Sequence, residues 1–146
     1  MPVSQHPATL TAEDLVGVYN LISRYARALD TRDYAAYIEN FLPAGVLIDQ
    51  STGARCEGRQ QIMDYLDARD ASGSYSDPRQ HVVSLPNVEG DGSECTAHTY
   101  WHVILRKPGE TPSIWSFGEY IDRIVKADGR WYFAERVIWH WPRPHP

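Results

Sequence analysis

The sequence predicts one α+β domain in which helices come first and strands follow. Apolar residues recur at helical spacing as far as Asp70, and from His81 onward the period changes to two. Turn signals then cut the second half into four long strands. A chain of 146 residues, 42% of them hydrophobic, has enough material for one core and no room for a second domain.

Thr11, followed by Glu13 and Asp14, opens a first helix whose apolar face is Val18, Ile22, Tyr25 and Leu29. Thr31-Arg-Asp33 opens a shorter one with Tyr34, Tyr37, Ile38 and Phe41 inward, stopped by Pro43; the two helices join at Asp30. Residues 45–49 and 54–57 read as a hairpin around Ser51-Thr-Gly53. Residues 58–70 return to helical spacing with Ile62, Tyr65 and Leu66, and 71–78 form a loop. Turns at Glu89-Gly-Asp-Gly92, Pro108-Gly109 and Asp128-Gly129 make the rest an antiparallel meander, a curved sheet able to close like a cone with helices on one face. Residues 1–10 are expected to be an arm, and the Pro-rich tail after Trp139 to lack regular structure.

Composition excludes several functions. The formal charge is −5, and 14 scattered Lys and Arg against 19 Asp and Glu make no basic stripe for nucleic acid or an anionic membrane. No basic start with an apolar run marks residues 1–10, and no stretch has the length of a membrane span, so a soluble, cytoplasmic protein is expected. Cys56 and Cys95 lack metal or redox spacing and read as small buried hydrophobes. Five Trp and nine Tyr suit the walls of a pocket as well as a core, and Trp115 is a candidate substrate-binding wall.

Asp30 stands at the end of the first helix, where the helix dipole opposes a negative charge, so a compensating partner is expected. Capping the next helix or facing water would also account for it. His81 opens a strand. A lone His beside apolar residues is more often a core residue than a catalyst; what raises it as a base is that imidazole titrates near neutral pH and that a carboxylate on one ring nitrogen would orient it. Asp30 is the natural orienter. Tyr25, five residues before Asp30 on the buried stripe, can reach the same cavity if the helix ends near Leu29.

His98, Tyr100 and His102 alternate along one strand and share a face, opposite Ala97, Thr99, Trp101 and Val103. His98 and His102 stand about 13 Å apart at ~3.4 Å per residue, too far to share a metal ion. On the last strand Arg136 shares a face with Tyr132, Ala134, Ile138 and His140, and could hold a carboxylate or oxyanion if that face is inward. Asp33 and Asp49 read as a helix-start and a strand-end acid. No nucleophile motif or phosphate loop occurs.

The segments Leu21-Ile-Ser-Arg-Tyr-Ala-Arg-Ala-Leu-Asp30-Thr-Arg-Asp33-Tyr, Phe41-Leu-Pro-Ala-Gly-Val, Gly58-Arg-Gln-Gln-Ile, His81-Val-Val and Gly129-Arg-Trp-Tyr-Phe-Ala-Glu-Arg136 together resemble the SnoaL-like branch of the nuclear transport factor 2-like superfamily, from about Leu10 to Trp141. The resemblance implies a cone-shaped α+β barrel, three helices on a strongly curved, mixed and mostly antiparallel sheet, often a homodimer through the sheet's outer surface. By site pattern it is similar to the bile acid dehydratase, scytalone dehydratase and lindane dehydrochlorinase group. There an Asp at the end of the first helix orients a His that removes a proton from substrate, and Asp30 and His81 match those positions. Tyr25 falls where the bile acid enzyme has a pocket tyrosine, Arg136 where members carry an arginine, and His102 near a further acid or His. The implied function is a dehydratase, lyase, isomerase or cyclase, without metal or organic cofactor, acting on a hydrophobic small molecule, with polycycles of polyketide or steroid type among the candidates. The superfamily also holds binding and assembly domains, and epoxide hydrolases built on an Asp-Arg-Asp arrangement that Asp30 and Arg136 could join.

Overall fold

The computed structural model describes residues 9–143. Helix α1 spans Ala12–Asp30 and starts in a capping box, in which Asp14 N–H donates to the Thr11 hydroxyl at 3.1 Å and Thr11 N–H donates to the Asp14 carboxylate at 3.0 Å. Val18, Ile22 and Tyr25 are buried as the spacing predicts, and Leu29 packs at the edge of the core. At the other end Arg32 takes a left-handed conformation (φ +56°). Asp33 N–H then donates to the Ala28 carbonyl at 2.9 Å and Arg32 N–H to that of Leu29 at 3.2 Å. This is a Schellman cap with arginine where glycine is usual, and it leaves Asp30 as the last helical residue.

Helix α2, Tyr34–Ile38, is shorter than the sequence suggests. Phe41 is buried, but it opens strand β1, Phe41–Asp49. Pro43 therefore lies within a strand, at the irregularity between Phe41 and Val46 where the pairing with the last strand shifts register and a missing N–H costs no ladder bond. Strand β2, Ala54–Glu57, completes the hairpin, and helix α3, Arg59–Ala71, buries Ile62 and Leu66.

Five strands follow where four are expected: β3 Arg79–Val83, β4 Asn87–Gly90, β5 Glu94–Leu105, β6 Ser113–Ala127 and β7 Arg130–His140. Both β3 and β4 pair with β5, and the break between them holds Pro86, which has no N–H to offer. Strand β7 runs to His140, past the expected start of the irregular tail. Most of the predicted N-terminal arm (residues 1–8) and the last residues of the tail (144–146) lie outside the described residues.

The sheet is mixed and open, in the order β2-β1-β7-β6-β5-β3, with β1 parallel to β7 and every other pair antiparallel. On β5 the buried set is Cys95, Ala97, Thr99, Trp101, Val103 and Leu105, which faces the helices; the alternate set points outward. Strand β7 changes sides part-way. Trp131 and Phe133 are inward, Ala134 is the extra residue between the pairs Ile124 with Phe133 and Arg123 with Glu135, and from there Ala134, Arg136 and Ile138 are inward. This bulge is why both faces of β7 read as partly apolar. Gly118 on β6 is required by close approach, since a Cβ there would sit 1.9 Å from the Trp139 carbonyl oxygen and 2.8 Å from the Trp101 ring. Cys56 and Cys95 are buried free thiols. Among the described residues no helix is long and apolar enough to cross a membrane.

Candidate active site

Where α1 ends, the Asp30 carboxylate meets the start of β3. The ring Nδ1 of His81 donates to Asp30 Oδ1 at 2.6 Å, and the backbone N–H of His81 donates to Oδ2 at 2.9 Å and Oδ1 at 3.1 Å. These donors are the compensation that a carboxylate at the negative end of a helix needs. A carboxylate can only accept, so Nδ1 carries a proton, which leaves Nε2 as the ring nitrogen available for proton exchange. Only 9% of the His81 side chain is exposed. Its Nε2 makes no hydrogen bond to any described residue, and the ring lines a partly open cavity of about 40 Å³ beneath the curved sheet.

Tyr25, Tyr120, Trp101, Val103 and Ile138 supply aromatic and apolar walls of that cavity. Tyr25 receives a hydrogen bond from Tyr37 at 2.7 Å, which leaves its own proton free to donate. Burial raises the Tyr25 hydroxyl above its ordinary pKa of 10, so it stays protonated at neutral pH. Two further polar groups close the far side. Asp49 accepts from the Tyr65 hydroxyl at 2.8 Å and from the Ser51 hydroxyl at 2.6 Å, and His140 Nε2 lies 3.7 Å from Asp49 Oδ1. Burial holds His140 below 6.5, in the neutral form. No group of three His, Cys, Asp or Glu side chains among the described residues gathers as metal ligands would.

His81, Tyr25 and Trp115 are therefore brought to one cavity, with Asp30 bonded to His81 from outside its lining, and four other expected contacts are not. His98, Tyr100 and His102 lie on the outer face of the sheet, because the more apolar alternate set of β5 takes the inner face. His98 there bonds Glu119 at 2.5 Å, and Tyr100 and His102 line an outer apolar groove with Phe117 and Trp141. Arg136 points inward but is sealed off from the cavity. It is fully buried and doubly bonded to Asp122 at 2.7 Å and 2.7 Å, with its guanidinium about 4 Å from the ring centres of Tyr25, Tyr120 and Phe133. Burial pulls its pKa down, and the Asp122 carboxylate more than reverses this. Arg136 thus braces Tyr25 from behind and has no part in an Asp-Arg-Asp site with Asp30.

The cavity also has residues that the sequence does not single out. Arg69 and Tyr75 close it with Trp115, and only the fold brings them there. His140, which alternation puts on the face of Arg136 but to which the sequence assigns no role, and Asp49, which has only the marks of a strand-end acid, complete the lining.

The SnoaL-like domain model matches residues 10–137. The chain belongs to the SnoaL-like domain family. Two curated proteins from Comamonas sp., the β1 and β2 subunits of the terminal oxygenase component of terephthalate 1,2-dioxygenase, are each 27% identical over 84 residues, 56% of this chain and 54% of theirs. The chain thus spans about half the length of the curated relatives it matches. A Nostoc punctiforme protein of unknown function with a cystatin-like fold superposes with TM-score 0.81 at 24% identity, covering 92% of this chain and 96% of that one. ActVI-ORFA from Streptomyces coelicolor gives 0.81 at 19%, covering 92% and 100%. A provisionally assigned scytalone dehydratase from Novosphingobium aromaticivorans gives 0.72 at 19%, covering 88% and 84%. Membership fixes the fold and leaves the reaction open.

Proposed function

We propose that this SnoaL-like protein is a cofactor-independent acid–base enzyme, a dehydratase-like lyase or an isomerase, in which His81 is the general base. The observation that carries the reading is the 2.6 Å Nδ1 bond to Asp30, combined with an uncommitted Nε2 on a ring that lines a cavity walled by aromatic side chains. Nε2 takes a proton from a carbon next to a carbonyl or a leaving group, and Asp30 stabilises the imidazolium that results. In an elimination the freed electron pair becomes the new double bond and the leaving hydroxyl departs as water with a proton from Tyr25. In an isomerisation the same pair is held as an enol whose oxygen takes the Tyr25 proton. The walls exclude water and strengthen each of these contacts. The space of about 40 Å³ is smaller than the roughly 150 Å³ that takes a benzene ring, so a ring-bearing substrate has to displace the Tyr75 and Trp115 cap.

The test needs no knowledge of the natural substrate. Small cyclic ketones and β-hydroxy ketones are incubated with the protein in deuterated water, and exchange at the α-carbon is followed by NMR. Wild type is expected to accelerate exchange or elimination, and His81→Ala to lower that rate by about 10²–10⁴-fold. Equal rates in the two proteins would dismiss the reading.

A second reading, an assembly subunit, draws on the dioxygenase β subunits and on the outer face of the sheet, where Tyr100, Ile114, Phe117 and Trp141 are exposed around an apolar groove. This face is also where we place the homodimer contact. Light scattering of wild type and Phe117→Asp checks it: a dimer that becomes a monomer supports the assignment, and an unaltered mass removes it.

A further inference from the structure

Three arginines lie beside His81, Arg69 in the lining of its cavity and Arg32 and Arg79 with Arg69 in that of a neighbouring one, and no described carboxylate comes within ion-pair distance of any of them. Arg69, in the last turn of α3, borders the His81 cavity, a neighbouring one of about 150 Å³ and a third of about 300 Å³. Its guanidinium has no hydrogen-bond acceptor among the described residues and rests on the Tyr75 ring at 3.7 Å. Arg79 covers the same ring at 4.2 Å and keeps a buried Nη1 without a partner; it precedes His81 by two residues on β3, hence on the same side of the strand. Arg32 donates to the Tyr75 carbonyl. The acids bordering the 150 Å³ cavity are Asp30, taken up by His81, and Asp77, which forms no ion pair.

We infer that Arg69, supported by Arg79, holds the carboxylate of a small ring-bearing organic acid whose reacting carbon lies at His81. This names the substrate class for the proposed reaction and rests on that reading for the position of the chemistry. Partly buried guanidiniums with no counter-ion are costly, and a bound carboxylate would satisfy both the charge and the unused donors. The planar fork of arginine matches a carboxylate in two parallel hydrogen bonds, and the aromatic walls suit the ring that carries it. Tyr75, held between two cations, occupies the space between this anchor and the cavity, so the acid enters by displacing that ring from Arg69.

The whole protein is titrated calorimetrically with benzoate and with benzamide, which share a ring and differ in charge. Benzoate is expected to bind about tenfold more tightly or better. Arg69→Gln should abolish the preference, Arg69→Lys should keep part of it, and His81→Ala should leave it intact. Equal affinity for the two probes in wild type, no binding of benzoate, or inorganic phosphate binding as tightly as benzoate would overturn the assignment, and the wild-type comparison decides without relying on a variant that folds. A benzoate preference in a protein whose ketone exchange is insensitive to His81→Ala would keep the anion site and remove the base. Exchange that needs His81, with no benzoate preference, would do the reverse.

Discussion

Helix α1 carries a carboxylate in each end turn, and the two are used differently. Asp14 lies in the first turn, where the dipole favours a negative charge. Its partners are local or structural: the Thr11 N–H and hydroxyl, and Lys126 at 2.9 Å across the fold. Asp30 lies in the last turn, where the dipole opposes it, and nothing on its own helix satisfies it. Its donors come from residue 81, fifty-one positions later, and one of them is a ring that lines a cavity. A carboxylate placed with the dipole anchors the fold, whereas one placed against it persists only where another element supplies donors. Here those donors include the group proposed to do chemistry.

The contrast can be broken at several strengths. The largest effect is expected from Asp30→Asn, which keeps an acceptor for the His81 backbone but loses the charge that holds the ring tautomer. It should lower proton-transfer rates by about 10²-fold, read by ketone exchange, while the neutral acceptor preserves the melting temperature. If Asp30→Asn instead unfolds the protein and leaves the rate per folded molecule unaltered, the two ends of α1 are alike. At the other end, Thr11→Ala removes the cap and should cost about 1 kcal/mol in denaturant unfolding with no change in exchange rate.

A pH effect separates the ends with a smaller signal. Thr11 N–H, Lys126 and the Thr11 hydroxyl hold the Asp14 carboxyl at about 2, below its ordinary 3.8. A lowered acid stabilises the fold fully above its unfolded value, and that contribution is lost as pH falls from 3.8 toward 2. Asp14→Asn should therefore flatten the fall in melting temperature across that window. The smallest effect is on the outer face. His98→Ala breaks a bond to Glu119 that is as short as the one in the His81 pair, yet its ring is 43% exposed and borders no enclosed space, so exchange rates should stay within about twofold. A large loss of rate in His98→Ala would mean that bond length, and not enclosure, marks the functional pair.

How much of this was legible in the sequence follows from how local each determinant is. Thr11, the stripe from Val18 to Leu29 and the alternation of β5 act over a few residues, and they read correctly. The inner face of β5 was readable too, since Ala97, Trp101, Val103 and Leu105 are more apolar than the set containing His98, Tyr100 and His102. The aromatic and histidine content of that second set drew attention to the wrong face. Arg136 looked available because its partner Asp122 lies on the neighbouring strand, in a register set by a bulge that no residue type announces. Phe41 sits so near the helical pattern of Tyr34 and Tyr37 that its role as the first residue of a strand appears only once β7 is alongside. Arg69 and Tyr75 reach the cavity through the packing of α3 and its following loop, which leaves no periodic trace. The resemblance placed Asp30 and His81 together, and physical reasoning alone had left each with an ordinary alternative.

The parallel pairing of β1 with β7 has a consequence for how the protein comes into being. Strand β7 is the latest strand in the chain but lies in the interior of the sheet, between β1 and β6. Until residues 130–140 emerge from the ribosome, β1 has only its hairpin partner, and the inner face that Tyr25 and Phe41 pack against lacks Phe133. The nascent chain can form α1 and pair β5 with β6 early, but it cannot close its core, and it presents two unpaired strand edges that invite other chains. Pairing of this strand is thus the step that closes the core, and before it the unpaired edges of β1 and β6 are open to association with other chains.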